Sequence, residues 1–193
     1  YPVKLVNPAA MEQYNGLKQT DDETDAFFIA ELSRLGILKY GHIYPKAERP
    51  VRDILRRRMM FVQQRTAQIL SFQSLHARET GKGIGATAIK ELWPNETAEY
   101  FEDEHVCAMG RASLETIRFL GEWIKELERH AQAHCKLRTE YKKLLTTPGI
   151  GNVLGMTIML ETGAIVRFPG AGNYTSYCRC VGSNQLSNVK KKG

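Results

Sequence analysis

Residues 117–145 read IRFLGEWIKELERHAQAHCKLRTEYKKLL. Seam residues recur in this stretch at alternating steps of three and four, and Arg138 is the one break. A period of about 3.5 residues is typical of a coiled-coil seam. We therefore predict one long helix over residues 106–145. Its seam positions are Ile117, Leu120, Ile124, Leu127, Ala131, His134, Tyr141 and Leu145.

A second long helix is predicted from Arg49 to about Arg78, where apolar residues recur at helical spacing until Gly81 and the glycines after it. Two arrangements of the long helices remain open. They can pair antiparallel within one chain, or they can join two subunits as a coiled coil. Because a single two-helix pair buries little area alone, we expect a helical hairpin that also dimerises.

The flanking segments predict further short elements. Residues 3–6 alternate and predict a strand, and helices are expected from Asn7 and from about Asp21. Two short helices separated by residues 93–95 are predicted within 86–104, and residues 146–193 predict three helices joined by turns. The chain is therefore expected to be mainly α.

Composition limits the possible classes of protein. The 193 residues carry a net charge of +6 and contain no apolar run of about 18 residues, so no membrane span is predicted. Basic residues outnumber acidic ones by 8 to 3 in residues 46–80 and by 5 to 1 in the last 46 residues. Such patches attract polyphosphates, although a solvated helix face is an equally ordinary explanation. The four cysteines follow no zinc spacing and indicate reduced thiols in the cytosol.

Two carboxylates, Asp22 and Asp25, lie three residues apart at the start of a predicted helix. At this spacing they share one helix face and supply the hard oxygen ligands that Mg²⁺ or Mn²⁺ prefers. Two-metal nucleases use such carboxylates to activate the attacking oxygen. The alternative is that these acids only complement the helix dipole. Asp21 and Glu23 are interpreted as solvated or capping acids.

A predicted turn at Pro148, Gly149, Ile150 and Gly151 joins two helices, and a small residue, Gly155, follows four positions later. This is the pattern of a helix-hairpin-helix. Glycines let the backbone approach a surface closely, and the amides of the second helix then point at phosphate oxygens. The alternative is a tight connector that contacts no ligand. We expect the turn to bind DNA without reading bases.

The C-terminal segment places Ser187 close to Lys190, Lys191 and Lys192. A serine hydroxyl can attack a phosphodiester when cations neutralise the developing charge. The alternative is a polar loop whose lysines bind the phosphate backbone, and composition alone favours that alternative.

In this order, three segments resemble those of the DEDD-motif insertion-sequence transposases. They are residues 21–26, residues 145–151, and residues 176–188 with the lysines that follow. The resemblance implies that residues 1–45 are the C-terminal piece of an α/β RuvC-like domain, 46–145 a coiled-coil region, and 146–193 the start of a transposase domain. It identifies Asp22 and Asp25 with the third and fourth acidic residues of the family, and Ser187 with its catalytic serine.

The resemblance also implies a function. Ser187 would attack DNA to give a covalent serine–DNA intermediate, while Asp22 and Asp25 hold Mg²⁺ or Mn²⁺. The implied partners are element-end and target DNA, a guide-type RNA and further copies of the chain, in the bacterial cytoplasm. The chain starts without Met and lacks the first Asp and the Glu of the acidic set, so we expect an internal fragment that is inactive alone. The alternative is a non-catalytic helix-hairpin-helix module that binds DNA.

Overall fold

The structure is a computed structural model that describes residues 3–11 and 21–180, with the backbone alone of residues 186–187 and 190–191. The chain divides into two compact units, Tyr1–Arg49 and Pro50–Gly193. Each unit is described by itself below.

The first unit contains two helices, α1 (Pro8–Met11) and α2 (Asp22–Arg34). The strand predicted for residues 3–6 is wrong in extent, because within residues 3–11 and 21–49 this segment forms a single antiparallel bridge, between Val6 and Tyr40. Asn7 N–H donates to the Lys39 carbonyl at 3.0 Å, and Gly41 N–H donates to the Leu5 carbonyl at 2.7 Å. An alternating sequence does not by itself form a strand, because a β-ladder needs a partner segment that continues the pairing. Residues 37–45 pair with residues 3–6 at this one position.

The second unit is built almost entirely from helices, so the prediction of a mainly α chain is confirmed. Within the part of the chain that the structure describes, no helix combines the length and apolarity needed to cross a membrane. The helices are α3 (Arg49–Thr80), α4 (Ala86–Glu91), a 3-10 helix (Pro94–Glu99), α5 (Glu104–Cys135), α6 (Thr139–Leu145), α7 (Asn152–Thr162), a second 3-10 helix (Ile165–Arg167) and α8 (Ala171–Tyr177).

The two longest helices, α3 and α5, run antiparallel. Arg58 on α3 donates to the Glu128 carboxylate on α5 at 2.7 Å. Two turns further along α3, the Arg65 guanidinium lies against Gly121, which is two turns back along α5. The intrachain pair, one of the two arrangements that the sequence left open, is therefore present.

The long helix predicted over residues 106–145 is wrong in one respect, because it is two helices. α5 ends at Cys135, and α6 begins at Thr139 after an extended Arg138. At the end of α5 the buried residue is Cys135 and not the predicted His134, which is exposed. The 3.5-residue period continues across the break, because Tyr141 is also buried. Tyr141 belongs to the new helix, α6, which packs on α7.

Two apolar clusters lie along the α3–α5 pair. The turn-side core joins α3, α5, α6 and α7 and consists of Leu55, Ala131, Cys135, Tyr141, Met156, Met159 and Leu160. The far core joins the other end of the pair to α4 and to Phe101, which follows the first 3-10 helix, and consists of Ile69, Phe72, Leu75, Ile89, Phe101, Leu114 and Ile117. Since the turn-side core contains side chains from both sides of residue 145, the long helices and the C-terminal helices fold as one unit.

Phe72 is the largest of the fully buried side chains, so we expect Phe72→Ala to reduce stability most. Removing a buried phenyl ring leaves a cavity and costs about 3–5 kcal/mol in the free energy of unfolding. Leu70→Ala, two residues away on the same helix at a position 60% exposed, is the control and should change stability by no more than about 0.5 kcal/mol. Urea unfolding followed by far-UV circular dichroism measures both; equal losses would contradict this assignment of the core.

Candidate nucleic-acid interface

Residues 146–151, the α6–α7 turn, connect two helices that pack closely on each other. Gly155 on α7 permits this approach. A Cβ atom at Gly155 would lie 3.3 Å from Cε2 of Tyr141 and 3.4 Å from Cδ2 of Leu145. The Tyr141 hydroxyl donates to Oδ1 of Asn152 at 3.1 Å and joins α6 to the start of α7. The first residue of α7 is therefore held by the helix that precedes the turn.

The backbone of the α6–α7 turn depends on one glycine with a left-handed conformation. Gly149 has φ of 86°, a region that side chains with a Cβ rarely adopt. The Ile150 N–H donates to the Thr147 carbonyl at 3.1 Å and closes the turn, and Ile150 is half-buried. Gly151 is the N-cap of α7 in an extended conformation, with open space where its Cβ would stand.

The electrostatics of the turn favour an anion. Gly151, the N-cap of α7, has no side chain to cap the helix, and the Gly155 amide closes a helical hydrogen bond by donating to the Gly151 carbonyl. The amides before it lie at the positive end of the helix dipole. Lys142 and Lys143 are exposed in the last turn of α6, and neither forms an ion pair with any described residue. This arrangement can bind phosphate oxygens.

A bidentate ion pair fixes α7 on α3. Nε and Nη2 of Arg56 each donate to one Glu161 carboxylate oxygen at 2.7 Å. The Arg56 guanidinium holds the pKa of Glu161 below its usual range, and the carboxylate raises the pKa of Arg56. The Tyr177 hydroxyl donates to the Glu161 carbonyl at 2.9 Å and adds α8. The partners are 105 residues apart, and no local sequence signal predicts this support for the turn.

The two predicted metal ligands lie at the start of α2, in the first unit. Asp22 is exposed and Asp25 is half-buried, both in the first helical turn. Asp21 is the N-cap: its Oδ1 accepts from the Thr24 amide at 2.7 Å, and this bond holds the pKa of Asp21 below its usual range. The capping role predicted for Asp21 is thus present.

The fit of a metal ion to this corner is partial. Asp22 and Asp25 offer the hard oxygen donors that Mg²⁺ takes, at a spacing that puts both on one side of the helix. Across residues 3–11 and 21–180, however, no group of three or more Asp, Glu, His or Cys side chains could hold a metal ion. The two carboxylates therefore make at most part of a metal site.

The predicted nucleophile lies in the second unit, in a minimal two-stranded ladder. β1 (Leu186–Ser187) pairs antiparallel with β2 (Lys190–Lys191), and the register puts Ser187 opposite Lys190. Lys192 lies outside the described residues. The backbone thus brings the predicted serine and one predicted lysine to the same register position, whereas Asp22 and Asp25 belong to the other unit.

Comparisons with protein-family models, with curated proteins and with solved structures find no match for this chain. The family resemblance of the three motifs therefore stays an expectation from the sequence. The structure adds a closely packed turn, with uncapped amides and two lysines, and a pair of carboxylates beside a capping Asp21.

Proposed function

We propose that this chain is part of a DEDD-motif DNA transposase and that its second unit binds the DNA backbone through the α6–α7 turn. The observation that supports the binding step is the geometry at Gly155. Its close contact with α6 joins the start of α7 to the helix whose last turn carries Lys142 and Lys143. Backbone amides and flexible lysines hold phosphates whatever the base sequence.

The proposed chemistry is a phosphoryl transfer to serine. The Ser187 oxygen attacks a phosphodiester of the element end, a serine–phosphate bond forms, and the bond to the departing sugar oxygen breaks. The serine proton goes to solvent or to a nearby base, and the departing oxygen takes up a proton. Lys190, Lys191 and Lys192 would neutralise charge on the phosphate oxygens. Mg²⁺ or Mn²⁺ held by Asp22 and Asp25 of another subunit would supply further charge stabilisation at that phosphate.

The setting of this activity is part of the same proposal. The partners would be element-end and target DNA and a guide-type RNA, in the bacterial cytoplasm. These follow only from the family resemblance. The resemblance assigns two of the four acidic residues of the family to this chain, so the proposed cleavage would also need the other two.

One observation favours a second candidate function, a non-catalytic module that binds DNA. The α6–α7 turn needs no acidic residue to bind phosphate. The described residues contain no group of three side chains that could hold a metal ion. The candidates differ in one measurable respect, which is whether strand cleavage depends on Ser187.

Binding through the turn can be tested with Gly151→Val in the 193-residue chain. Space is open at the Gly151 Cβ position and its φ is −84°, so valine should leave the fold intact while its methyl groups block the amides. Losing one hydrogen bond to a charged phosphate costs about 1.5–3 kcal/mol, so we expect the Kd for a 20-base-pair duplex to rise at least about tenfold.

The matched control is Gly83→Val, the same change at another glycine with open space in the second unit. Its Kd, measured by fluorescence anisotropy, should equal that of the wild-type chain. Unchanged binding by Gly151→Val, with helix content preserved, would exclude the turn as the DNA contact.

Catalysis can be tested in the full-length protein with Ser187→Ala and Asp22→Asn. We expect Ser187→Ala to abolish the covalent protein–DNA adduct on denaturing gels, because the attacking oxygen is gone, while DNA binding persists. Asp22→Asn or chelation of Mg²⁺ should also stop cleavage. Ser183→Ala, which changes a serine four residues away, is the control and should retain the adduct. Wild-type cleavage by Ser187→Ala would leave the non-catalytic module as the better description.

We also propose that a second copy of the chain packs on the outer face of α5, as expected for the coiled-coil region. Phe119 and Trp123 are 59% and 45% exposed there, and their rings meet edge to face with centroids 6.4 Å apart. Exposed neighbouring aromatic residues are typical of interface centres.

Replacing both aromatic residues, Phe119→Ser with Trp123→Ser, should therefore convert a dimer to a monomer in sedimentation equilibrium. Leu70→Ser, at an exposed position on α3, is the control and should remain dimeric. A wild-type chain that is monomeric at about 100 μM, a concentration at which a contact of about 5.5 kcal/mol would be half-formed, would remove this proposal.

A further inference from the structure

A second positively charged surface lies in the second unit, apart from the α6–α7 turn. It is a groove of about 280 Å³ between α3, α4 and α5. Ile117, which is buried, and Gly121 contribute to its lining. We call its four basic side chains the groove cations; they are Arg65, Lys90, Arg118 and Lys125.

Among the described residues, the groove cations form no ion pairs. None of them lies within 4.0 Å of a carboxylate oxygen in the part of the chain that the structure describes. Glu122 is the one acidic residue in the lining. Elsewhere on the same two helices arginines are paired, as in Arg58 with Glu128 at 2.7 Å and Arg129 with Glu126 at 2.6 Å. The groove therefore carries an excess of about three positive charges.

This excess positive charge lines a concave surface. Like charges held together repel one another, and a cleft lined by one sign focuses the electrostatic potential. The Arg65 guanidinium lies against Gly121, where a Cβ would stand 3.6 Å from its Nη1, an ordinary contact distance. An oppositely charged ligand would relieve the repulsion, and a polyanion matches the number of charges better than a single carboxylate does.

One groove cation is already oriented. The Arg118 guanidinium stacks on the Trp93 ring, with Cζ 3.7 Å from the ring centroid, and its Nη1 donates to the Leu92 carbonyl at 3.4 Å. The Trp93 backbone is in turn fixed, because its N–H donates to the Glu96 carboxylate at 2.8 Å. A preformed guanidinium fork loses little freedom on binding and can contact two phosphate oxygens.

From these observations we infer that the groove binds the phosphodiester backbone of a nucleic-acid strand. This goes beyond the proposed function, because it concerns a second surface and does not require the α6–α7 turn to bind DNA. The recognised chemistry is a row of singly charged phosphates. Duplex DNA and single-stranded RNA share that chemistry, so the experiment includes both.

The test changes the charge of the groove in the 193-residue chain at exposed positions. Lys90→Gln with Lys125→Gln removes two groove cations. For a 20-nucleotide RNA or a duplex of the same length, we expect the Kd to rise about tenfold or more at 0.1 M salt. The slope of log Kd against log salt concentration should fall by about two, since each lysine that neutralises a phosphate contributes about one. The nucleic acid whose Kd rises more in this double variant is the one whose phosphates the groove binds.

A variant that binds more tightly distinguishes an effect on binding from a loss of the fold. Glu122→Gln removes the acidic residue of the groove lining and should lower the Kd about threefold or more, which an unfolding artefact cannot do. The matched control is Arg57→Gln with Lys82→Gln, which removes two exposed cations outside the groove and should change the Kd less than threefold.

Three outcomes would overturn the inference: equal effects of the groove variant and the control, no gain from Glu122→Gln, or binding to anionic phospholipid vesicles without binding to either nucleic acid. The Gly151→Val variant distinguishes failure of this inference from failure of the proposed function. If the turn does not bind DNA, Gly151→Val binds as the wild type does, while the groove variant is still weakened.

Discussion

Burial of the apolar stripe of α5 against α3 is the interaction on which the second unit depends. Each end of this pair carries a core that also includes other elements: α6 and α7 at one end, α4 and Phe101, which follows the first 3-10 helix, at the other. A helix of seven residues such as α6 is not stable alone, because nucleation costs more than so few hydrogen bonds return. Its position, and that of the turn after it, comes from Tyr141 in the turn-side core.

Charges along this pair are arranged differently at its two ends. Near the turn-side core, Arg56 and Arg58 are paired with Glu161 and Glu128 across helices. These contacts are partly exposed and add little to stability, but a bidentate guanidinium–carboxylate pair fixes direction well. Around the groove, none of the four cations forms an ion pair with a described residue, although Glu122 lies in the same lining. Pairing therefore orients α7 at one end, whereas the other end keeps its positive charge available.

Sequence patterns could predict the helices, their glycine stops and the turn, because each of these is decided by residues close together in the chain. They could not predict the break after Cys135. A 3.5-residue period reports which side chains are buried, and Tyr141 satisfies that period whether the helix continues or a new one starts. The Arg56–Glu161 pair and the groove were missed for another reason: both join residues from separate helices, and their meeting depends on how α3 and α5 pair.

The α6–α7 turn and the groove are carried by the same pair of helices, and this has a consequence for binding. Ten residues of α5 separate Lys125 from Cys135, the α5 residue in the turn-side core, which corresponds to about 15 Å along the helix axis. One duplex presents a charge every ~1.7 Å, so phosphates are available at both places along a short site. The two proposed contacts would belong to one folded unit, and their free energies would combine, because the second would form at a high effective concentration once the first is made. A nucleic acid long enough to reach both surfaces should then bind much more tightly than a short one. The difference in affinity should be far larger than a doubling of the number of contact sites would produce.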